Sequence, residues 1–597
     1  MNFLSFPELT DKAQNAFKRF PLTLLWALIG TLSFMYFIHE DEKLFEEQLG
    51  ICLMFILGIS WLMGTQFLIE QLGRPKKGMF LKLIVVGLLL AFYWHLPEGT
   101  KIDDTPAFFI RFFLYFIAGH LFVLFAPFLL KWHKVAYWNY LKSTAMALSR
   151  SAFFSGVLFL GLVLTLAAID ALFEVNIPGQ RYGQLFIFCV GVVNTWIYLS
   201  DFPLEIHQNT SIHFQKALEV LVKYILIPLV ILYVLILYVY GLKIVLQWEL
   251  PQGRVSYLIT ALAFLGFIVQ VIINPVQKTL ASWAINRFHP WFYILLLPPT
   301  VLLFVAIFRR IADYGITEKR YFVMVLAFWI AAMTLYLLFT KKKNLIVLPI
   351  SLFALTLLSS FGFWGVLPVS INSQLRQFEK VFNEVNTQNK IASTDQFRQL
   401  KSIILYVNER ESLSKLNHIT GIDMQNAFKD TANGLSMASR RIDTRKVMDS
   451  LGISVNPENL ANVPPFGTHY NYYADQNRVN EYDIRNFNYF ATIRFHSQAA
   501  NKMEIGDFYI HFNSEQVNLL LVNKNDSSRT LQIPLRSKLL QLSKRGVNLG
   551  HPGEKEMTLE VKADSVTAKL IVTELDYTIK QDSIHLIHSS AYLFLKQ

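Results

Sequence analysis

A chain of 597 residues is longer than one soluble core ordinarily holds, and a hydrophobic share of 53% beside 16% charged residues lies outside the usual soluble balance. The formal charge of +12 does not point to nucleic acid: from Ser370 onward Lys and Arg nearly balance Asp and Glu, so the surplus sits in short loops between apolar runs. The two cysteines, Cys52 and Cys189, both lie inside apolar runs, which excludes a disulfide framework and a cysteine metal site.

In chain order, residues 1–19 read as an amphipathic interfacial segment, with Lys12, Lys18 and Arg19 just ahead of Pro21. The first apolar run, 20–38, is about long enough to cross a bilayer and lacks a small-residue cleavage site after it, so it reads as a retained anchor. Further runs follow at 49–69, 79–94, 107–130, 152–173, 182–199, 222–246, 255–273, 291–308, 321–339 and 345–367. With roughly 20 residues needed per crossing, the pattern predicts about eleven spans. The run 79–94 is short and carries Lys82, and Pro298-Pro299 should kink the run 291–308.

Orientation follows from the basic residues near the membrane ends. A cytoplasmic N-terminus puts Arg74, Lys76, Lys77, Lys131, Lys134, Lys142, Arg150, Lys216, Lys278, Arg287 and Lys341 to Lys343 on the cytoplasmic side. The other side receives Lys43, Lys101, Arg181 and Arg254, accompanied by acids such as Glu40, Asp41, Glu42, Asp103 and Asp104. One loop breaks the rule: Arg309, Arg310, Lys319 and Arg320 fall outside if the Lys341 to Lys343 loop is inside.

After Pro368 the composition turns soluble. Residues 371–389 and 394–413 read as amphipathic helices, the second with Phe397, Leu400, Ile403, Ile404 and Val407 in one apolar stripe. A helix over 444–451 has Asp443 as its cap and Gly452 as its stop. Beyond Pro464-Pro465, strands are expected at 484–495, 508–512, 517–522, 530–533, 557–561, 566–575 and 584–595, with a helix at 537–544. Turn signals such as Asn525-Asp526 and Gln581-Asp582 favour antiparallel pairing. The fold class is therefore an all-α polytopic membrane bundle followed by a soluble α+β C-terminal domain. Its expected parts are 1–19, a transmembrane domain 20–368, a helical part 369–463 and a strand-rich part 464–597.

No P-loop, glycine-rich dinucleotide fingerprint, HExxH or GxSxG occurs, which weakens the corresponding enzyme classes. His585 and His588 are three apart on a strand, so alternation points them to opposite faces, and no metal or other cofactor is expected. Polar residues inside spans are costly and draw attention: Gln66, His120, Asp170, Asn194 and Asn274. Helix-to-helix hydrogen bonding and ordinary packing are the competing explanation for each. Arg309, Arg310 and Arg320, with Asp313 and Glu318, form a candidate cradle for an anion or lipid headgroup, against the alternative of headgroup anchoring with local salt bridges.

Five stretches carry a family resemblance: RFPLTLLWALIGT, NTWIYLSDFPLE, YILIPLVILYVLILYVYGLKI, the block from HPWFYILLLPP to YGITEKRY, and LKSIILYVNER. Together they resemble the bacterial polytopic membrane proteins catalogued as domain of unknown function 4153. The resemblance implies a Gram-negative inner-membrane protein and supplies no reaction or catalytic residue. The leading expectation is a non-enzymatic envelope protein with a cytoplasmic N-terminus that presents a periplasmic domain to a partner or ligand, in contact with membrane lipids. A transporter or lipid-handling permease is the second, drawn from Pro228, Pro275, Pro298 and Pro299 and the intramembrane polar groups. A transferase on a lipid-linked anionic substrate is the third, without an evident general base.

Overall fold

In the computed structural model, residues 6–424 and 447–596 are described, apart from 41, 74, 97–105, 213, 248–253, 278–281, 341–343, 449, 456–467, 474–481, 483, 496–502, 527–528, 544–552, 564–565 and 581–582. The chain forms two compact units, Met1–Ser454 and Val455–Gln597.

The first unit is helical because its apolar runs have no other way to satisfy their backbone polar groups in hydrocarbon. Among the described residues, nine helices are long and apolar enough to cross a membrane, and two shorter apolar helices occupy Gly78–Trp94 and Val347–Ser360. Each predicted run lies on one of these helices, with three differences in extent. Helix Lys134–Phe173 begins well before the expected 152, because Tyr137, Trp138 and Tyr140 pack into the bundle and carry the helix through the amphipathic stretch. Helix Trp283–Tyr314 passes unbroken through Pro290, Pro298 and Pro299. The expected last run, 345–367, is cut in two: Val347–Ser360 stops, Gly362 turns at φ +77°, and a new helix starts at Val366. Only glycine enters that left-handed region without strain.

Two apolar clusters identify the ends of the bundle. At one end Phe20, Phe67, Phe125, Tyr140, Ile206 and Ile346 pack together. At the other, Leu114, Tyr321, Val366 and Leu367 meet, with Ala107 and Ile316 against them. The amphipathic helix Phe6–Arg19 belongs to the first end, where Arg19 pairs with Glu70 at 2.8 Å and donates to the Pro203 carbonyl. Helix Val366–Thr387 leaves from the second.

That helix and Thr394–Asn408 form a layer of their own. Phe378, Val381, Val385, Leu400, Ile403, Ile404 and Val407 make a separate core closed by Leu413, Leu416, Met424, Val447 and Met448. Ser393 caps the second helix with a reciprocal Gln396 bond, a sequence signature that was open to reading. Asp443 lies outside the described residues, whereas Gly452 stands at φ +70° as the expected stop.

The second unit is built from two antiparallel sheets. Strands are named β1 (Thr468–Tyr473), β2 (Tyr489–Phe495), β3 (Met503–Ile505), β4 (Phe508–Asn513), β5 (Asn518–Asn523), β6 (Thr530–Pro534), β7 (Thr558–Ala563), β8 (Val566–Lys580) and β9 (Ser583–Lys596). One sheet runs β1-β8-β9-β2 with β7 also on β8, and the other β3-β4-β5-β6. Period-two alternation sends Phe508, Ile510, Phe512, Leu531 and Ile533 inward against Leu570, Leu593 and Leu595 of the other sheet. The short helix Arg536–Ser543 adds Leu539 and Leu542 to this core. Its carbonyls are met from inside the core: Tyr472 donates to Leu542 and Tyr577 to Leu539, each at 2.8 Å.

The Asn525-Asp526 turn is held by the Asn523 side chain, which accepts from both backbone N–H groups. Gln581-Asp582 lies outside the described residues; β8 and β9 pair antiparallel as far as Lys580 and Ser583. The expectation for His585 and His588 is overturned. Tyr577 faces Leu586 while Asp576 faces His588, so Ile587 is an extra residue that resets the alternation. Leu586 and Ser589 point inward, and both histidines share the outer face.

Candidate functional site

The second end of the bundle is where sequence-selected residues meet. Helix Trp283–Tyr314 ends at Gly315 (φ +68°), and three residues later helix Glu318–Phe339 begins. A helix end leaves carbonyls without partners, and here side chains supply the donors. Gln374 donates to Tyr314 and Ile316 carbonyls at 2.9 and 3.0 Å, Gln377 to the Asp313 carbonyl at 3.2 Å, and Arg320 to Tyr314 and Gly315 at 3.0 and 2.7 Å. Ser373 accepts from the Ile316 N–H at 2.8 Å.

Behind this turn lies an ion pair. Glu318, only 7% exposed, receives Arg410 through both carboxylate oxygens, at 2.5 and 3.2 Å, and the Tyr406 hydroxyl at 2.8 Å. The Arg410 guanidinium also stacks 3.6 Å over the Tyr406 ring. Burial pulls the Arg410 pKa down, but the bond to Glu318, the Tyr406 and Glu318 charges and the bond to Glu409 together outweigh it and hold the guanidinium above its ordinary value. Burial, followed by the Glu318 charge, pushes the Tyr406 phenol up, so it stays a donor.

Glu318, grouped with the candidate anion cradle, has both carboxylate oxygens engaged inside the protein, where they join the last bundle helices to the soluble layer. The remaining members divide. Arg320 caps the turn and lines a cleft, Asp313 lines the same cleft and pairs with Arg309 at 3.2 Å, and Arg310 is exposed just before the last turn of its helix. The cleft, about 680 Å³, opens between this turn and the two soluble helices. Its side chains include Arg320, Lys380 and Arg398 against Asp313, Glu384 and Asp395.

The five intramembrane candidates are not brought together. Gln66 donates to Glu70 at 3.0 Å, extending the Arg19 pair. The His120 ring bonds the Phe116 carbonyl one turn back and lies 4.3 Å from the Phe116 ring. Asp170 accepts from the Ile177 N–H at 2.9 Å and ties off the loop after its helix. Asn194 accepts from Ser155 at 3.4 Å, bridging two helices. Asn274 lines a void of about 10 Å³, room for at most one water.

Sequence reasoning missed Tyr406, Arg410 and Gln374, which complete the joint. The signal was a basic residue just after an apolar helix stripe, but its partner stands 92 positions away. It also missed a polar group inside the bundle, where the His289 ring bonds both Gln270 and Gln277. In the second unit, His588 lies 3.4 Å from Glu574. Among the described residues, no group of three or more His, Cys, Asp or Glu is placed to hold a metal ion.

The family model described as "Domain of unknown function (DUF4153)" matches residues 26–389. The chain belongs to this family. The matched region of this DUF4153 protein contains Glu318, Arg320 and Gln374 and ends before Tyr406 and Arg410. An uncharacterized protein of Pasteurella multocida (strain Pm70) is 29% identical over 399 residues, covering 64% of this chain. The alignment spans 63% of that relative's own length. No solved structure matches.

Proposed function

We propose that this DUF4153 protein is a non-enzymatic inner-membrane protein that holds its post-bundle helices, and the strand-rich unit that follows them in the chain, on the periplasmic side for a partner or ligand. One observation carries the reading: the Glu318–Arg410–Tyr406 joint, with Gln374 over the adjacent turn, fastens the last bundle helices to the first soluble helices. A presenting scaffold needs such a joint, because a display module on a floppy stalk loses orientation.

The side assignment is supported by the two ends of the bundle. Arg19 and its basic neighbours gather at one end, and Val366 departs from the other. The rule-breaking basic loop is consistent with this, since Arg320 and Arg309 are bound to carbonyls and to Asp313 and do not act as free topogenic charges. An α-helical bundle favours the inner membrane, because outer-membrane spans are closed barrels.

Reporter fusions test the topology. A periplasm-dependent phosphatase should be active at Gln597 and inactive at Lys342, and a cytoplasm-dependent fluorophore should show the reverse; the opposite pattern refutes the periplasmic assignment. The presenting role is tested separately. Deleting residues 370–597 should abolish any phenotype of the gene, whereas alanine at Asp170, Asn194 and Arg309 in a folded protein should spare it; the reverse result favours a transporter or permease.

A further inference from the structure

The cleft beside the joint goes beyond a presenting role. We propose that it binds the headgroup of a zwitterionic phospholipid, a phosphodiester carrying a primary ammonium.

Three observations lead there. First, the lining is balanced, with Arg320, Lys380 and Arg398 against Asp313, Glu384 and Asp395. Asp395 meets Arg398 at 3.8 Å and Asp313 meets Arg309 at 3.2 Å, but both pairs are exposed and therefore weak, and a ligand carrying both charges engages both sets where a simple anion or cation engages one. The volume of about 680 Å³ falls in the range of small-molecule sites.

Second, the two charge sets have different surroundings. Asp313 sits in the last turn of a 32-residue helix, at the negative pole of its dipole, which favours an ammonium. Lys380 and Arg398 project from the two soluble helices, where Arg offers a planar fork to phosphate oxygens. The glutamines of the cleft floor are already engaged with carbonyls, so recognition falls to the charged groups.

Third, the cleft is continuous with a lipid-facing stripe. On the same helix Val301, Val305 and Phe308 are 63%, 44% and 47% exposed, spaced four and three residues apart, and the row ends at Ala312 in the cleft wall. A headgroup seated in the cleft leaves its acyl chains along that stripe. Free glycerophosphoethanolamine has the same charges without the chains, so the stripe selects the lipid.

The test uses the purified full chain in detergent, incubated with an equimolar mixture of phosphatidylethanolamine and phosphatidylglycerol, with retained lipid read by mass spectrometry. Retained phosphatidylethanolamine should exceed phosphatidylglycerol, and Arg398→Glu with Lys380→Glu should cut that enrichment roughly tenfold, the effect of losing charge-assisted bonds. Both side chains face solvent, so the fold should survive the change; Arg398→Gln with Lys380→Gln should give a smaller loss and serves as a second variant. Preference for phosphatidylglycerol, or equal retention by parent and charge-reversed protein, overturns the proposal. Displacement of the lipid by an equal concentration of soluble glycerophosphoethanolamine overturns the lipid source. The outcome is independent of the fusion experiment, so sidedness and ligand stand or fall separately.

Discussion

Arg410→Met is the sharpest perturbation of the joint. Arg410 and Glu318 side chains are 10% and 9% exposed, so removing the guanidinium strands a carboxylate in a poorly solvated site. Breaking one side of such a pair costs about 3–5 kcal/mol, and the lower figure applies here because Tyr406 still donates to Glu318. The effect is local opening of the soluble helices, read by hydrogen exchange of amides 400–407, which should exchange on the order of 100-fold faster. Replacing the whole group by apolar residues, Glu318→Leu with Tyr406→Phe and Arg410→Met, should recover most of the loss, to within about 1 kcal/mol, since a buried pair and a packed apolar cluster are often equivalent. If Arg410→Met exchanges within tenfold of the parent, or the triple variant is no better than the single one, the joint is not what fastens the two layers.

Three further outcomes are expected. Gly266→Ala places a Cβ 1.9 Å from Phe292 Cζ, a ring 1% exposed, and should cost about 1–3 kcal/mol in a detergent thermal melt; Gly161→Ala, with nothing within 4 Å, should change stability by less than about 1 kcal/mol. Tyr577→Phe leaves the Leu539 carbonyl without its buried donor and should destabilise the strand-rich unit by about 1–3 kcal/mol, seen as faster exchange in helix Arg536–Ser543. His207, in the loop after Ser200, is held below its ordinary pKa by burial and then by the Lys131 charge, so the unfolded chain binds the proton more readily than the folded one. Stability from this group should be full above the ordinary histidine pKa and fall as pH drops through it. His207→Gln should flatten that dependence in melts across pH 5–8, and an unchanged slope would refute the assignment.

Much of the architecture was readable because its causes are local. A run of apolar residues in hydrocarbon must close its own hydrogen bonds, so each such run is a helix wherever its neighbours lie. Strand alternation and Asx turns are equally short-ranged, and β4, β5 and β6 lie where the pattern put them. β1 and β3 escaped notice: Tyr470, Tyr472 and Met503 are stranded by their partners β8 and β4, not by a pattern of their own. The early start of helix Lys134–Phe173 escaped for a similar reason, since Tyr140 is held by Phe67 and Phe128 from other helices.

The candidate site divides along the same line. Arg309, Asp313 and Arg320 could be gathered from adjacency alone, but the partner of Glu318 could not be read there because the side chain that claims it comes 92 residues later. His585 and His588 were assigned opposite faces by a period that one bulged residue resets. By itself, then, the order of residues determined which segments leave water for lipid and which alternate as strands, since both follow from the solvation of neighbouring groups along one backbone. Only the tertiary structure decided which charges meet, for a buried ion pair is a contact in space between segments that local physics treats as strangers.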